Sequence, residues 1–365
     1  MALDAFRDCE LPATADFHVH LRDGETMETV VPTIRRGGVN TVYVMPNLLP
    51  PITTVPHALS YLASLQRLEP NVTFLMTLYL HPTLTPGTIA EAARAGIAGV
   101  KAYPAGLTTN SAAGVVDYAT FDAVFAAMEA HDLVLNLHGE APSSPANGVS
   151  VLNAEEAFLP TLAELHAKFP RLRIVLEHCT SKAAVEAVRS IGSDRVRATI
   201  TAHHLWLTVD DWAGDPFAFC KPVAKSAEDR QALIRAVVDG SGKFFLGTDS
   251  APHPVQAKTG GTDRKGKIAA GVFTQPYATQ LVVGALEKAC EEGILKAEDV
   301  TKEVLENFMS GYGRYFYRVP NDKKEKIVLR KRDERVVDVL TSKSGRVEIV
   351  PFRRGENTWS VEWLP

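Results

Sequence analysis

The nine residues ADFHVHLRD (Ala15–Asp23) place His18 and His20 two positions apart after an apolar lead-in, with Arg22 two further on. In an extended strand, side chains at i, i+2 and i+4 share a face. Two imidazoles and a guanidinium then point the same way. Taken alone, such a pair is more often two hydrogen-bonded histidines than a metal site, so the rest of the chain decides.

Working outward, a short β-branched or aromatic run recurs, followed each time by a polar loop and a helical pattern. The expected strands are DFHVHL, TVYVMP, VTFLMTLYL, GVKAYP, LVLNLHGE, RIVLEHC, VRATITAHH and KFFLGTDS. Helical patterns between them include Glu155–Lys168, Lys182–Ser190 and Glu228–Asp239. Units of about thirty residues, eight of them in roughly 250, are the arithmetic of a (β/α)8 barrel. A doubly wound open sheet is less suitable, because no Gly-rich phosphate turn follows the first strand. Further helical patterns follow at Tyr277–Glu292 and Ala297–Met309. The barrel domain is expected to span residues 1–319, with residues 320–365, charged and punctuated, as an extension packed on it.

Bulk properties narrow the function. The chain has 365 residues, 45% of them hydrophobic, with a formal net charge of -4, which offers no polycation for nucleic acid or membrane. No apolar run is long enough to span a bilayer, and the start lacks a signal-peptide core, so a soluble cytoplasmic protein is expected. Four cysteines without CxxC spacing argue against both a disulfide framework and a cysteine zinc site.

The polar residues fall on the strand ends. His18 and His20 mark strand one, Asn47 follows strand two and Lys101 lies in strand four. His138 closes strand five, His178 strand six and Asp249 strand eight, with His253 just beyond. In a barrel this is the C-terminal rim where active sites form. Histidine nitrogens and a carboxylate, without cysteine, suit zinc or a similar divalent ion used for hydrolysis. The residues alone leave one-metal and two-metal sites both open. Lys101, in VKAYP, reads by itself as a salt-bridged rim lysine. Beside cations it could instead lose its proton and take up carbon dioxide as a carbamate.

Together these residues resemble the amidohydrolase superfamily. DFHVHLRDGE, YVMPNLLPPITT, VKAYPAGLTTNSAAGV, NLHGE, LEHCTS, TAHHL, GTDSAPH and VPFRRGENTWSVEW resemble its dihydroorotases, in their shorter single-function form. The resemblance implies two zinc ions per subunit, one held by His18, His20 and Asp249 and the other by His138 and His178. It implies that Lys101 is carboxylated (N6-carboxylysine) and bridges both. It implies a small-molecule substrate, L-dihydroorotate or its open form N-carbamoyl-L-aspartate, whose carboxylate meets Arg22, Asn47 and His253, with backbone near Ala270 completing the pocket. Thr108 and Thr109, in PAGLTTNSAAG, would lie on a loop that closes over the substrate. Asp249 would shuttle a proton while a metal-bridging hydroxide attacks the ring carbonyl. A homodimer is also implied. A hydantoinase-like or dihydropyrimidinase-like hydrolase and a non-catalytic assembly barrel are the competing readings.

Overall fold

The β-branched and aromatic runs become eight parallel strand positions in a computed structural model describing residues 3–260, 268–319 and 325–365 (at Asp333, the backbone alone). Strand one is Thr14–Val19, strand two Val39–Val44, and strand three is broken at Met76 into Thr73–Leu75 and Thr77–Tyr79. Strands four to eight are Gly99–Ala102, Val134–His138, Arg173–Cys179, Val196–Ile200 and Phe244–Leu246. Each half of the broken third strand pairs with one neighbour, Thr73–Leu75 with strand two and Thr77–Tyr79 with strand four. A parallel bridge between Val19 and Ser250 closes the ring. The protein is a (β/α)8 barrel.

The lower interior is apolar. Ala15, Phe17, Tyr43, Val134, Val175 and Phe245 form one buried cluster with Phe316 and Tyr317. The last two come from a helix, Tyr312–Tyr317, lying beyond the helical patterns read from the sequence. Its Tyr317 ring stacks on Phe17 with centroids 5.0 Å apart. Gly313 permits that approach: a Cβ there would meet Phe17 ring atoms at 2.2 Å. Arg314 of the same helix is buried and donates to Asn40 Oδ1 (2.6 Å) and Thr41 Oγ1 (3.0 Å), tying the helix to strand two.

The outer helices match the sequence patterns closely: Ala154–Lys168, Lys182–Ser190, Ala227–Val237 and Ala278–Glu291. The pattern at Ala297–Met309 divides into a 3-10 turn (Ala297–Asp299), a helix (Lys302–Glu306) and a π-helical turn (Asn307–Gly311). Past residue 325 the chain adds Lys326–Arg335 and Asn357–Trp363, which pair with each other and with Glu10–Pro12 in a three-stranded antiparallel sheet. Ile327, Leu329 and Trp359 join the same apolar cluster as the barrel and its helices. The boundary expected at Pro320 lies outside the described residues. The sheet draws in residues 10–12, which precede the barrel in the chain.

Candidate active site

Strict alternation does not carry the rim. In strand one, Ala15 and Phe17 belong to the lower apolar cluster, whereas His18 and His20 line the upper cavity. The register shift between Asp16 and Val19 allows both, since an extra residue re-aims the side chains that follow. Strand six repeats the device. Its register shifts between Leu176 and Cys179, and His178 has φ 43°. Asp249 (φ 48°) and Arg22 (φ 60°) also occupy the left-handed region. Non-glycine residues there are strained, and such strain concentrates at functional sites.

The rim residues expected from the sequence converge. His18, His20, His138, His178 and Asp249 line one small cavity, with Arg22, Asn47, Thr108, Thr109 and Ala270. Lys101 is fully buried, and His253 stands beside Arg22. Oδ1 of Asp249 is 3.3 Å from His18 Nε2 and 3.2 Å from His20 Nε2. The rings of His138 and His178 lie 4.5 Å apart, and those of His18 and His178 5.1 Å. Burial pushes Asp249 upward, but His18, His20 and His178 outweigh it and hold its carboxyl well below the usual range. Burial drives His20 down to about 4 and His178 well below its ordinary value, so both are neutral and able to ligate.

Nζ of Lys101 and Nδ1 of His178 are among the buried atoms without a hydrogen-bond partner. Buried polar atoms are almost always satisfied. Burial lowers Lys101 to about 8, which favours the neutral amine far more than in an exposed lysine. Neutral imidazoles, an ionised carboxylate and unpartnered nitrogens at one rim fit a metal centre.

Partners behind the ligands complete the design. His18 Nδ1 meets Glu177, which also accepts from Asn136 and from Thr199 Oγ1. His20 Nδ1 meets Asn47 Oδ1 at 2.8 Å, and His138 Nε2 meets Glu140 at 2.8 Å. Metal-ligating histidines characteristically use their second nitrogen this way. Neither Glu177 nor Glu140 figures in the sequence-level reading. Each carboxylate close to a histidine in LEHC or NLHGE was the available signal.

At the mouth, Arg22 Nε donates to Pro252 O (3.0 Å), and its Nη2 lies 3.0 Å from His253 Nε2. That nitrogen is also 2.9 Å from Ala270 O. One ring nitrogen cannot both accept from the guanidinium and donate to the carbonyl, so an added carboxylate would resolve the conflict by accepting from both. Among the described residues, Arg22 forms no ion pair with Asp23 or Glu25, and Glu25 faces Arg346 instead. Gly271 (φ 156°) is required here: a Cβ would lie 2.5 Å from Ala251 O and 2.7 Å from His253 Cδ2. Above, the 104–114 loop is tied down by Asn47 Nδ2 to Thr109 O (3.1 Å), Asn110 Nδ2 to Asn47 O (2.9 Å) and Lys221 Nζ to Leu107 O (3.1 Å). Thr109 Oγ1 reaches Ala270 O at 3.4 Å. Lys258, absent from the sequence reading, donates to Phe219 O, Ala269 O and Gly271 O, pinning the segment that carries Ala270.

A barrel with histidine, aspartate and lysine donors on its C-terminal rim defines an amidohydrolase, and residues 49–233 match the amidohydrolase family model. The chain is 48% identical to a probable dihydroorotase of Schizosaccharomyces pombe over 97% of its own length and 99% of that protein's. The crystal structure of Saccharomyces cerevisiae dihydroorotase in complex with 5-fluoroorotic acid superposes with a TM-score of 0.90. It is 46% identical and covers 98% of this chain and 99% of its own. A Campylobacter jejuni dihydroorotase structure gives 0.83 at 30% identity, covering 99% of each chain. The chain belongs to the dihydroorotase family.

Proposed function

We propose that this protein interconverts N-carbamoyl-L-aspartate and L-dihydroorotate, a step in making pyrimidines, and that it does so with two zinc ions. The observation that carries the substrate assignment is the Arg22–His253–Ala270 group beside Asp249. It offers a guanidinium and an imidazole to a carboxylate that a dihydropyrimidinase substrate lacks.

His18, His20 and Asp249 would hold one metal, and His138 and His178 the other. Lys101 as a carbamate would bridge them; its neutral amine adds to carbon dioxide and releases one proton. When bound, the metals supply an activated water and polarise the carbonyl under attack. The remaining work belongs to the chain. Arg22 donates a planar fork to the substrate carboxylate, with His253 alongside. Asn47 orients His20 through Oδ1 and anchors the 104–114 loop through Nδ2, linking ligand placement to closure. That loop, with Thr108 and Thr109, excludes bulk water. Asp249, held ionised by its neighbours, takes a proton and returns it to the ring nitrogen in hydrolysis. In cyclisation it takes the carbamoyl nitrogen's proton instead.

Cyclisation of N-carbamoyl-L-aspartate by metal-replete protein, followed by dihydroorotate absorbance, tests the reading. Turnover is expected, and Asp249→Asn abolishes it. Full cyclisation by that variant would remove Asp249 from the proton-transfer role. The family also makes a cytoplasmic homodimer the expected state, which light scattering checks by mass.

A further inference from the structure

Beyond the histidine pair, Asp249 has a second set of neighbours. Its two oxygens are divided: Oδ1 faces His18 and His20, while Oδ2 accepts from Cys220 Sγ at 3.3 Å. Across from that pair lies His203. Donor atoms of His203, Cys220 and Asp249 lie within 4.8 Å of one another, and all three residues are buried. Both ring nitrogens of His203 lack a hydrogen-bond partner, although the residue has no exposed surface. Its neighbour His204 differs, with Nε2 at 3.1 Å from Pro222 O. A fully buried imidazole with two unsatisfied nitrogens is costly, and nothing in the mechanism above uses it.

We propose that His203, Cys220 and Oδ2 of Asp249 form a third, inhibitory site for a thiophilic divalent ion such as zinc, sharing Asp249 with the cysteine-free pair of sites. Tetrahedral zinc with bonds of about 2.0–2.3 Å sets its donors roughly 3.4–3.8 Å apart. The sulfur–oxygen separation of 3.3 Å already falls close to that, and a His203 nitrogen lies within 4.8 Å of both. Binding replaces the Cys220 S–H bond by an S–metal bond, and the proton leaves to solvent. The thiolate cancels one of the ion's two charges, and Oδ2 adds a share of the carboxylate charge that Oδ1 directs to the His18–His20 side, with water as the fourth ligand. Inhibition rests on the proposed role of Asp249: an ion on Oδ2 takes the lone pair that would accept the proton. Binding itself does not depend on that role.

Cobalt(II) is the probe, because a thiolate ligand gives an intense near-ultraviolet charge-transfer band that nitrogen and oxygen ligands do not. The protein is titrated with cobalt from the metal-free form past the first two equivalents, with absorbance and dihydroorotate turnover read together. The band is expected to grow only with the additional equivalent, as activity is lost. Cys220→Ser abolishes the band, and His203→Asn weakens the affinity of that equivalent; each variant's activity with two equivalents is its own reference. No thiolate band at saturating cobalt in folded wild-type protein, or an unchanged band in Cys220→Ser, overturns the site. A band without loss of turnover overturns its inhibitory role. Absence of dihydroorotate turnover at every loading, with the band present, refutes the proposed function and leaves the metal site standing.

Discussion

Replacing Arg22 by alanine tests the carboxylate anchor quantitatively. Of the five guanidinium N–H donors, Nε–H is committed to Pro252 O, and one on Nη2 faces His253. Three remain, enough for a bidentate grip on a carboxylate. Hydrogen bonds to charged groups contribute about 1.5–3 kcal/mol each. Taking the lower half of that range for two bonds, because Arg22 is only half-buried and water partly replaces it, the loss is roughly 3–4 kcal/mol. At about 1.4 kcal/mol per decade, kcat/KM for L-dihydroorotate should fall roughly 10²–10³-fold. Dihydrouracil, the same ring without the carboxylate, makes no such contact, so its slow turnover should scarcely change. The assay is initial-rate hydrolysis of both compounds by wild type and Arg22→Ala at equal metal content. Equal losses on both substrates would show that Arg22 acts on the fold or metal centre. Retention of wild-type kcat/KM on dihydroorotate would refute the anchor outright.

Other consequences follow from the same geometry. Glu177→Gln removes the charge behind His18 and should weaken metal affinity about 10–100-fold, read by chelator competition. Protein equilibrated with ¹³C-bicarbonate and zinc should show a carbamate resonance that Lys101→Ala lacks; the same spectrum in both would exclude Lys101 as its source. Removing the metals by chelation should abolish turnover, and re-addition of zinc with bicarbonate should restore it more fully than zinc in carbon-dioxide-free buffer. Gly313→Ala forces a methyl into the Phe17 ring and should cost about 1–3 kcal/mol, lowering Tm by several degrees in a thermal melt.

The barrel was legible because each strand was a compact β-branched or aromatic run, and because six of its polar residues fell at strand ends. What alternation could not show was how neighbouring residues share a face. Glu177 and His178 are consecutive, so a regular strand sends them to opposite sides. The register shift and the positive φ at His178 bring both to the site. Strand eight is regular only over Phe244–Leu246, because the chain turns towards Asp249, which itself takes a positive φ. Helix Tyr312–Tyr317 has no legible apolar stripe, since Phe316 and Tyr317 plug the interior while Tyr315 is exposed, and Arg314 is buried on hydrogen bonds where a charged residue suggests a surface. Lys101 illustrates the limit on the site. Its setting shows only in three dimensions, where Nζ is buried without a hydrogen-bond partner.

The measurement that bears most directly on the central claim is hydrolysis of L-dihydroorotate beside dihydrouracil by the metal-replete wild-type protein, followed by loss of ring absorbance. Rapid turnover of dihydroorotate, with dihydrouracil far slower, is the predicted result. Preferred turnover of dihydrouracil would instead make the protein a dihydropyrimidinase-like hydrolase, and turnover of neither would leave a barrel that assembles without catalysing.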